Sequence, residues 1–246
     1  MARENLRATL VGFAATLAIF AVLFYTAGVD DLVAQVTSAD LRYVGLVLLA
    51  TLGWLAAWSG ALRTVLGVLG VELSRTRSFL VFSGAMFSNN ITPFGQAGGE
   101  PVTALLINRS TDAEYETGLA AIASVDTLNF VPSITIALIG AGYYATEVTL
   151  GRRAEVAIGA VGLLAIVVPS LVYVGWTRRY SLEHRVVEAL VPFIRAIARV
   201  VPRVPVPTAE GLERRITGFF RAIERVAANP RKLAVALALS SLGWGL

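Results

Sequence analysis

Two carboxylates, Glu100 and Asp126, stand inside long apolar stretches of this chain, each among residues suited to binding. Glu100 closes the run "NNITPFGQAGGEP" at 89–101, where Asn89, Asn90, Thr92 and Gln96 offer hydrogen-bonding groups. Pro93 and Pro101 interrupt or open helices, and Gly95, Gly98 and Gly99 permit turns and close backbone approach. Asp126 has Asn129 three residues on, hence on the same helical face. A carboxylate in a membrane segment is costly enough to be read as functional by default. Together these side chains suit the capture of a polar, positively charged group. The plainer reading gives Glu100 a structural role, complementing a helix dipole or pairing with a buried arginine. For Asn129 the plainer reading is an interhelical hydrogen bond, which Ser124 and Thr127 also offer. Arg63 ends an apolar run and is expected to snorkel toward headgroups, with pairing to Glu100 or to a lipid phosphate as alternatives.

Other chemistries find no residues to carry them. Cysteine is absent and His184 is the sole histidine, which excludes thiolate sites and disulfides and leaves zinc chemistry without ligands. "FGQAGGEP" lacks the lysine and the preceding strand of a phosphate-binding loop, and no zincin helix or histidine-paired nucleophile occurs. The expectation is a protein with no cofactor and no metal, for which enzymatic activity is left open with the residues leaning against it.

Five apolar runs must position these residues. Of 246 residues, 56% are hydrophobic and 15% charged, far from the roughly 25% charged share of soluble domains. Runs at 9–27, 43–62, 79–107 (broken), 118–145 and 156–176 are each long enough for the roughly 30 Å hydrocarbon layer. The first is too long for a signal-peptide core and lacks a small-residue cleavage site. A sixth run, 233–246, is 14 residues long. It rises about 21 Å as a helix, which reads as a span cut at the chain end. The expected fold is all-α: a polytopic helical membrane protein with an interrupted, re-entrant third unit and a cytoplasmic amphipathic helical hairpin, the whole forming one membrane domain.

Charge bias orients it. Arg3 and Arg7 place the N-terminus in the cytoplasm, and Arg63, Arg75 and Arg77 return the chain there. From Arg178 to Lys232 twelve Lys and Arg stand against five Glu. If the third unit crossed completely, that basic segment would lie outside. If it enters and turns back, the segment at 178–231 is cytoplasmic, as the orientation rule asks. Within it, Leu182, Val186, Leu190, Ile194 and Ile197 recur at helical spacing. After the "PRVPVPT" break, so do Leu212, Ile216, Phe219, Phe220, Ile223 and Val226. Arginines between these stripes suit an anionic membrane surface. No groove-reading or aromatic-rich motif accompanies the charge, so nucleic acid is not an expected partner.

"SNNITPFGQAGGEPVTALLI" in an interrupted third unit, Asp126 in the next and a basic helical loop before further apolar sequence together resemble the lysylphosphatidylglycerol synthetase transmembrane family, also called flippase-like. Asn90, Thr92, Pro93, Gly95, Gly98, Gly99, Glu100 and Pro101 carry the most specific part of the likeness. The resemblance implies the membrane half of a multiple peptide resistance factor, which moves aminoacylated phospholipid between leaflets, without the synthase domain. It therefore implies a cell-membrane, multi-pass protein that binds a phospholipid or lipid-linked substrate, with self-association left open. Its rivals are a membrane-embedded transferase acting on lipid-linked substrates and a non-transporting accessory subunit.

Overall fold

The computed structural model describes residues 20–22, 24–26, 28, 33–34, 37–92, 95–147, 152–178, 181 and 209–246. The apolar run 9–27 falls largely outside these residues. Pro93, His184, the stripe from Leu182 to Ile197 and the break at 202–208 fall outside them entirely. Residues 1–50 form one unit and residues 51–246 another. In the first unit, the Phe20 and Phe24 rings stack at 6.2 Å and Asp40 caps a helix start by accepting from the Arg42 N–H at 2.8 Å.

Seven helices run through the described residues: α1 (Leu41–Val68), α2 (Arg75–Ile91), α3 (Gln96–Ser110), α4 (Tyr115–Glu147), α5 (Arg152–Thr177), α6 (Ala209–Ala227) and α7 (Pro230–Gly245). The chain is all-α. Helices α1, α4 and α5 are long and apolar enough to cross a membrane. Along α5 the most apolar stretch is wholly unburied by protein, with Leu163, Ile166 and Leu171 all exposed. A helix apolar on its outward faces is at rest in lipid and not in water.

Local chemistry fixes the ends of the helices. Gly70, with φ of 82°, ends α1 in a Schellman motif in which the Val71 N–H reaches the Leu66 carbonyl at 2.9 Å. Three residues on, Ser74 caps α2 by accepting from the Arg77 N–H. The third apolar unit is two helices, α2 and α3, separated at 92–95. They pair antiparallel: a Cβ at Gly84 would lie 3.1 Å from Leu106, and one at Gly98 would lie 2.8 Å from Thr92 Cβ. Their outer ends share one cavity of about 750 Å³, lined among others by Arg77, Arg109, Asp112 and Arg225. The chain therefore leaves the hairpin on the side from which it entered.

A buried core made by Leu62, Val65 and Leu66 of α1, Phe82 of α2, Ile107 of α3 and Val125 of α4 ties the bundle together. Helix α6 lays its apolar stripe against this bundle: Ile216, Ala222 and Val226 are buried, while Arg214, Arg215, Arg221 and Arg225 remain exposed. Gly218 lets the Glu116 side chain at the start of α4 approach to 3.2 Å of where a Cβ would sit. Helix α7 meets α1 through Trp58, whose ring lies 6.2 Å from Trp244 and overlaps the space a Cβ at Gly243 would need.

Candidate functional site: an acidic pair beside the hairpin turn

The turn between α2 and α3 is built by its own polar groups. Thr92 Oγ1 lies between the Ser88 carbonyl at 2.8 Å and the Gly95 carbonyl at 2.9 Å, and its single proton serves one of them at a time. Gly95 starts α3 from φ of 56° and ψ of −129°, a conformation that favours glycine. From there the Gly98 and Gly99 N–H groups both reach back to the Gly95 carbonyl, at 3.1 and 2.9 Å.

Helix α3 thus begins at Gln96, five residues before Pro101, which lies inside the helix. Pro101, which by its residue type could open a helix, does not do so here; Gly95 opens α3 instead. Its left-handed conformation turns the chain, and Gly98 and Gly99 let the first turn form against α2. Glu100 accordingly sits beyond the first turn, past the strongest part of the helix dipole.

Glu100 does not pair with Arg63. Instead its carboxyl makes a side-chain contact with Asp126 of α4, and Asp126 Oδ2 is buried with no hydrogen-bond partner. Two carboxylates at about 4 Å repel by about 4 kcal/mol at an effective dielectric of about 20, a cost removed by a proton or a cation between them. Asn89 Oδ1, also buried and unpartnered, rests against Gly99, next to Glu100 in the chain. Acceptors without donors therefore gather beside the turn. The described residues contain no cluster of three or more His, Cys, Asp or Glu arranged to hold a metal ion.

The remaining polar residues divide. Asn90 is exposed and donates to the Met86 carbonyl of its own helix at 2.7 Å. Ser124 and Thr127 return to carbonyls of α4, at 2.6 and 2.7 Å, and make no bond across helices. Asn129 is buried and accepts from Ser240 of α7, so its carbonyl oxygen is engaged in helix packing. Arg63 donates its Nε–H to the Leu73 carbonyl at 2.7 Å. Sequence reasoning passed over Ser83, whose buried Oγ has no partner; one serine in an apolar helix gives no periodic signal.

The Asn129–Ser240 bond supplies a modest test of packing. Asn129→Ala should lower stability in detergent by about 1 kcal/mol, within the range for interhelical bonds in membrane proteins. Ser240→Ala should cost a similar amount and the double variant little more, as measured by thermal unfolding. Fully additive losses would show that the two side chains act independently.

A short helical hairpin packed beside helices long and apolar enough to cross a membrane, with two carboxyls in contact near its turn, defines an all-α membrane protein. The chain belongs to the family described as Lysylphosphatidylglycerol synthase TM region, which it matches over residues 9–246. It is 27% identical over 157 residues to a UPF0104 membrane protein of Methanothermobacter thermautotrophicus, covering 63% of this chain and 44% of that protein. A UPF0104 membrane protein of Pyrococcus horikoshii is 23% identical over 231 residues, covering 91% of this chain and 67% of its own length. The chain thus spans under half of one relative and about two thirds of the other. No solved structure matches significantly.

Proposed function

We propose that this protein moves a lipid between leaflets by passing its polar headgroup beside the α2–α3 turn, where Glu100 and Asp126 receive a cationic group such as an amine. The contact between these two carboxyls carries the reading. Their mutual repulsion becomes attraction when an ammonium lies between them.

Depth supports it. Helix α2 has 17 residues and α3 has 15, so they rise about 26 and 23 Å, each short of the roughly 30 Å hydrocarbon layer. Glu100 lies ten residues from the α3 terminus and Asp126 eleven from the α4 start, about 15 and 17 Å along their axes. If the 110–115 connection rests at the membrane boundary, the pair is near mid-depth. Broken helices at that level are how several transporters build substrate sites, because non-helical backbone survives only beside protein or a wet cavity. The family description names a lipid that bears a lysyl amine, chemistry that an acidic pair fits. The N-terminus and the basic segment are assigned to the cytoplasm of a cell-membrane protein. There the exposed arginines of α6 face anionic lipid, worth about 1 kcal/mol each near the surface.

Reconstitution into vesicles tests this directly. Labelled lysyl-phosphatidylglycerol in the inner leaflet should become accessible to a membrane-impermeant quencher faster than in protein-free vesicles. It should also outpace labelled phosphatidylglycerol, which lacks the amine. Exchange no faster than in empty vesicles would overturn the proposal. Equal rates for the two lipids would remove the acidic pair from selection.

A further inference from the structure

Arg63, Arg75 and Lys232 gather at a second feature, away from the acidic pair. Two adjoining cavities of about 600 and 650 Å³ share Arg63 and Thr64 and form a crevice between α1, the start of α2 and α7. Its mouth holds the three cations against one carboxylate, Glu72. Arg75 and Thr76 begin α2, so the positive end of that helix opens on the same space. Arg63 is oriented by its Nε–H bond to the Leu73 carbonyl, which fixes the plane of its guanidinium.

Toward the middle of α1 the lining turns apolar: Ala56, itself exposed, stands with Gly60, Phe79 and Leu239, and Gly60 admits Leu239 to 3.3 Å of where a Cβ would sit. Ser59 and Ser78 form the floor, and there the buried Ser78 hydroxyl donates to the Ser59 carbonyl at 2.7 Å. The Ser59 hydroxyl in turn donates to the Ala56 carbonyl at 3.0 Å, so both floor hydroxyls are engaged and the charge stands at the end marked by Arg63, Arg75 and Lys232.

We propose that this crevice seats an anionic glycerophospholipid of the surrounding bilayer, its phosphate at Arg63, Arg75 and Lys232 and an acyl chain along Ala56, Gly60, Phe79 and Leu239. A net positive mouth at the end of a spanning helix complements a phosphodiester, and the apolar lining beside it suits an acyl chain, which a free anion lacks. This lipid carries the opposite charge to the group assigned to Glu100 and Asp126. The site therefore stands whether or not the exchange reading does.

The experiment is native mass spectrometry of the purified full chain in detergent, titrated with phosphatidylglycerol or phosphatidylcholine. The chain should retain one phosphatidylglycerol in preference to phosphatidylcholine. The double variant Arg75→Gln/Lys232→Gln leaves Arg63 and its Leu73 bond intact. It should weaken retention roughly 25-fold, each basic side chain near an anionic surface contributing roughly fivefold. Arg152→Gln/Arg178→Gln removes the same charge from the first residue of α5 and the residue just after its end, outside the crevice, and should leave retention unchanged. Equal loss in both double variants, no loss in the first, equal retention of phosphatidylcholine, or displacement by millimolar glycerol phosphate would each overturn the proposal. Independently of any variant, phosphatidylglycerol with a photoreactive acyl chain should label peptides containing Phe79 or Leu239. Labelling spread instead along the exposed faces of α5 would overturn it as well.

Discussion

Glu100→Gln is expected to slow exchange of an amine-bearing lipid by about a hundredfold while leaving the protein folded. The amide keeps the shape and reach of the side chain, removes the charge and turns one acceptor oxygen into a donor. Loss of one of two carboxylates facing a desolvated ammonium costs about 3 kcal/mol, in the lower half of the range for truncating such pairs, hence about a hundredfold in rate or affinity. Asp126→Asn should do the same from the opposite helix. Because both act on one bound amine, the double variant should fall well short of the product of the single effects. Folding should move the other way. Each single change removes the repulsion between neighbouring carboxylates, so thermal unfolding in detergent should occur at an equal or higher temperature. Wild-type exchange rates in vesicles would sink the assignment. So would a hundredfold loss accompanied by a large fall in unfolding temperature, since that pattern belongs to a structural pair.

How much of this was legible before the fold was known depends on the kind of signal. Long apolar runs marked α1, α4 and α5 because lipid imposes length and composition on any spanning helix. The break in the third unit was signalled by the cluster of prolines and glycines at 93–101, although among the described ones only Gly95 falls at the break and Gly98, Gly99 and Pro101 lie inside α3. The start of α3 was not legible, because the choice between Gly95 and Pro101 as the opening residue turns on one left-handed backbone conformation. Glu100 and Asp126 stood out singly as charges in apolar sequence, yet their contact depends on the register of α3 on α4, which a close approach at Gly118 helps set. Asn129 shows the limit from the other side. Its spacing from Asp126 placed both on one face, and Ser240, more than a hundred residues on, then engaged its carbonyl oxygen.

The second large effect concerns Gly99, whose role is room. A Cβ there would overlap Asn89 Oδ1 and lie 2.8 Å from both Asn89 Cγ and the Asn89 backbone nitrogen. A flexible side-chain tip could swing away, but a backbone atom of α2 can yield only if the two helices separate. Gly99→Val is therefore expected to cost about 3 kcal/mol or more, at or beyond the upper end of ordinary overpacking, and to lower markedly the yield of monodisperse protein. Gly99→Ala should be milder, and pairing it with Asn89→Ala should recover part of the loss, because that change removes the Oδ1 and Cγ overlaps and leaves the one with backbone nitrogen. Full recovery would place the whole clash in the asparagine side chain, and wild-type stability of Gly99→Val would mean that the hairpin is not closed at this point. The consequence for the site follows from chain connectivity. Glu100 is the next residue, so prising α3 from α2 at Gly99 also withdraws its carboxyl from Asp126, and exchange should fall in step with the measured destabilisation across the Gly99 series.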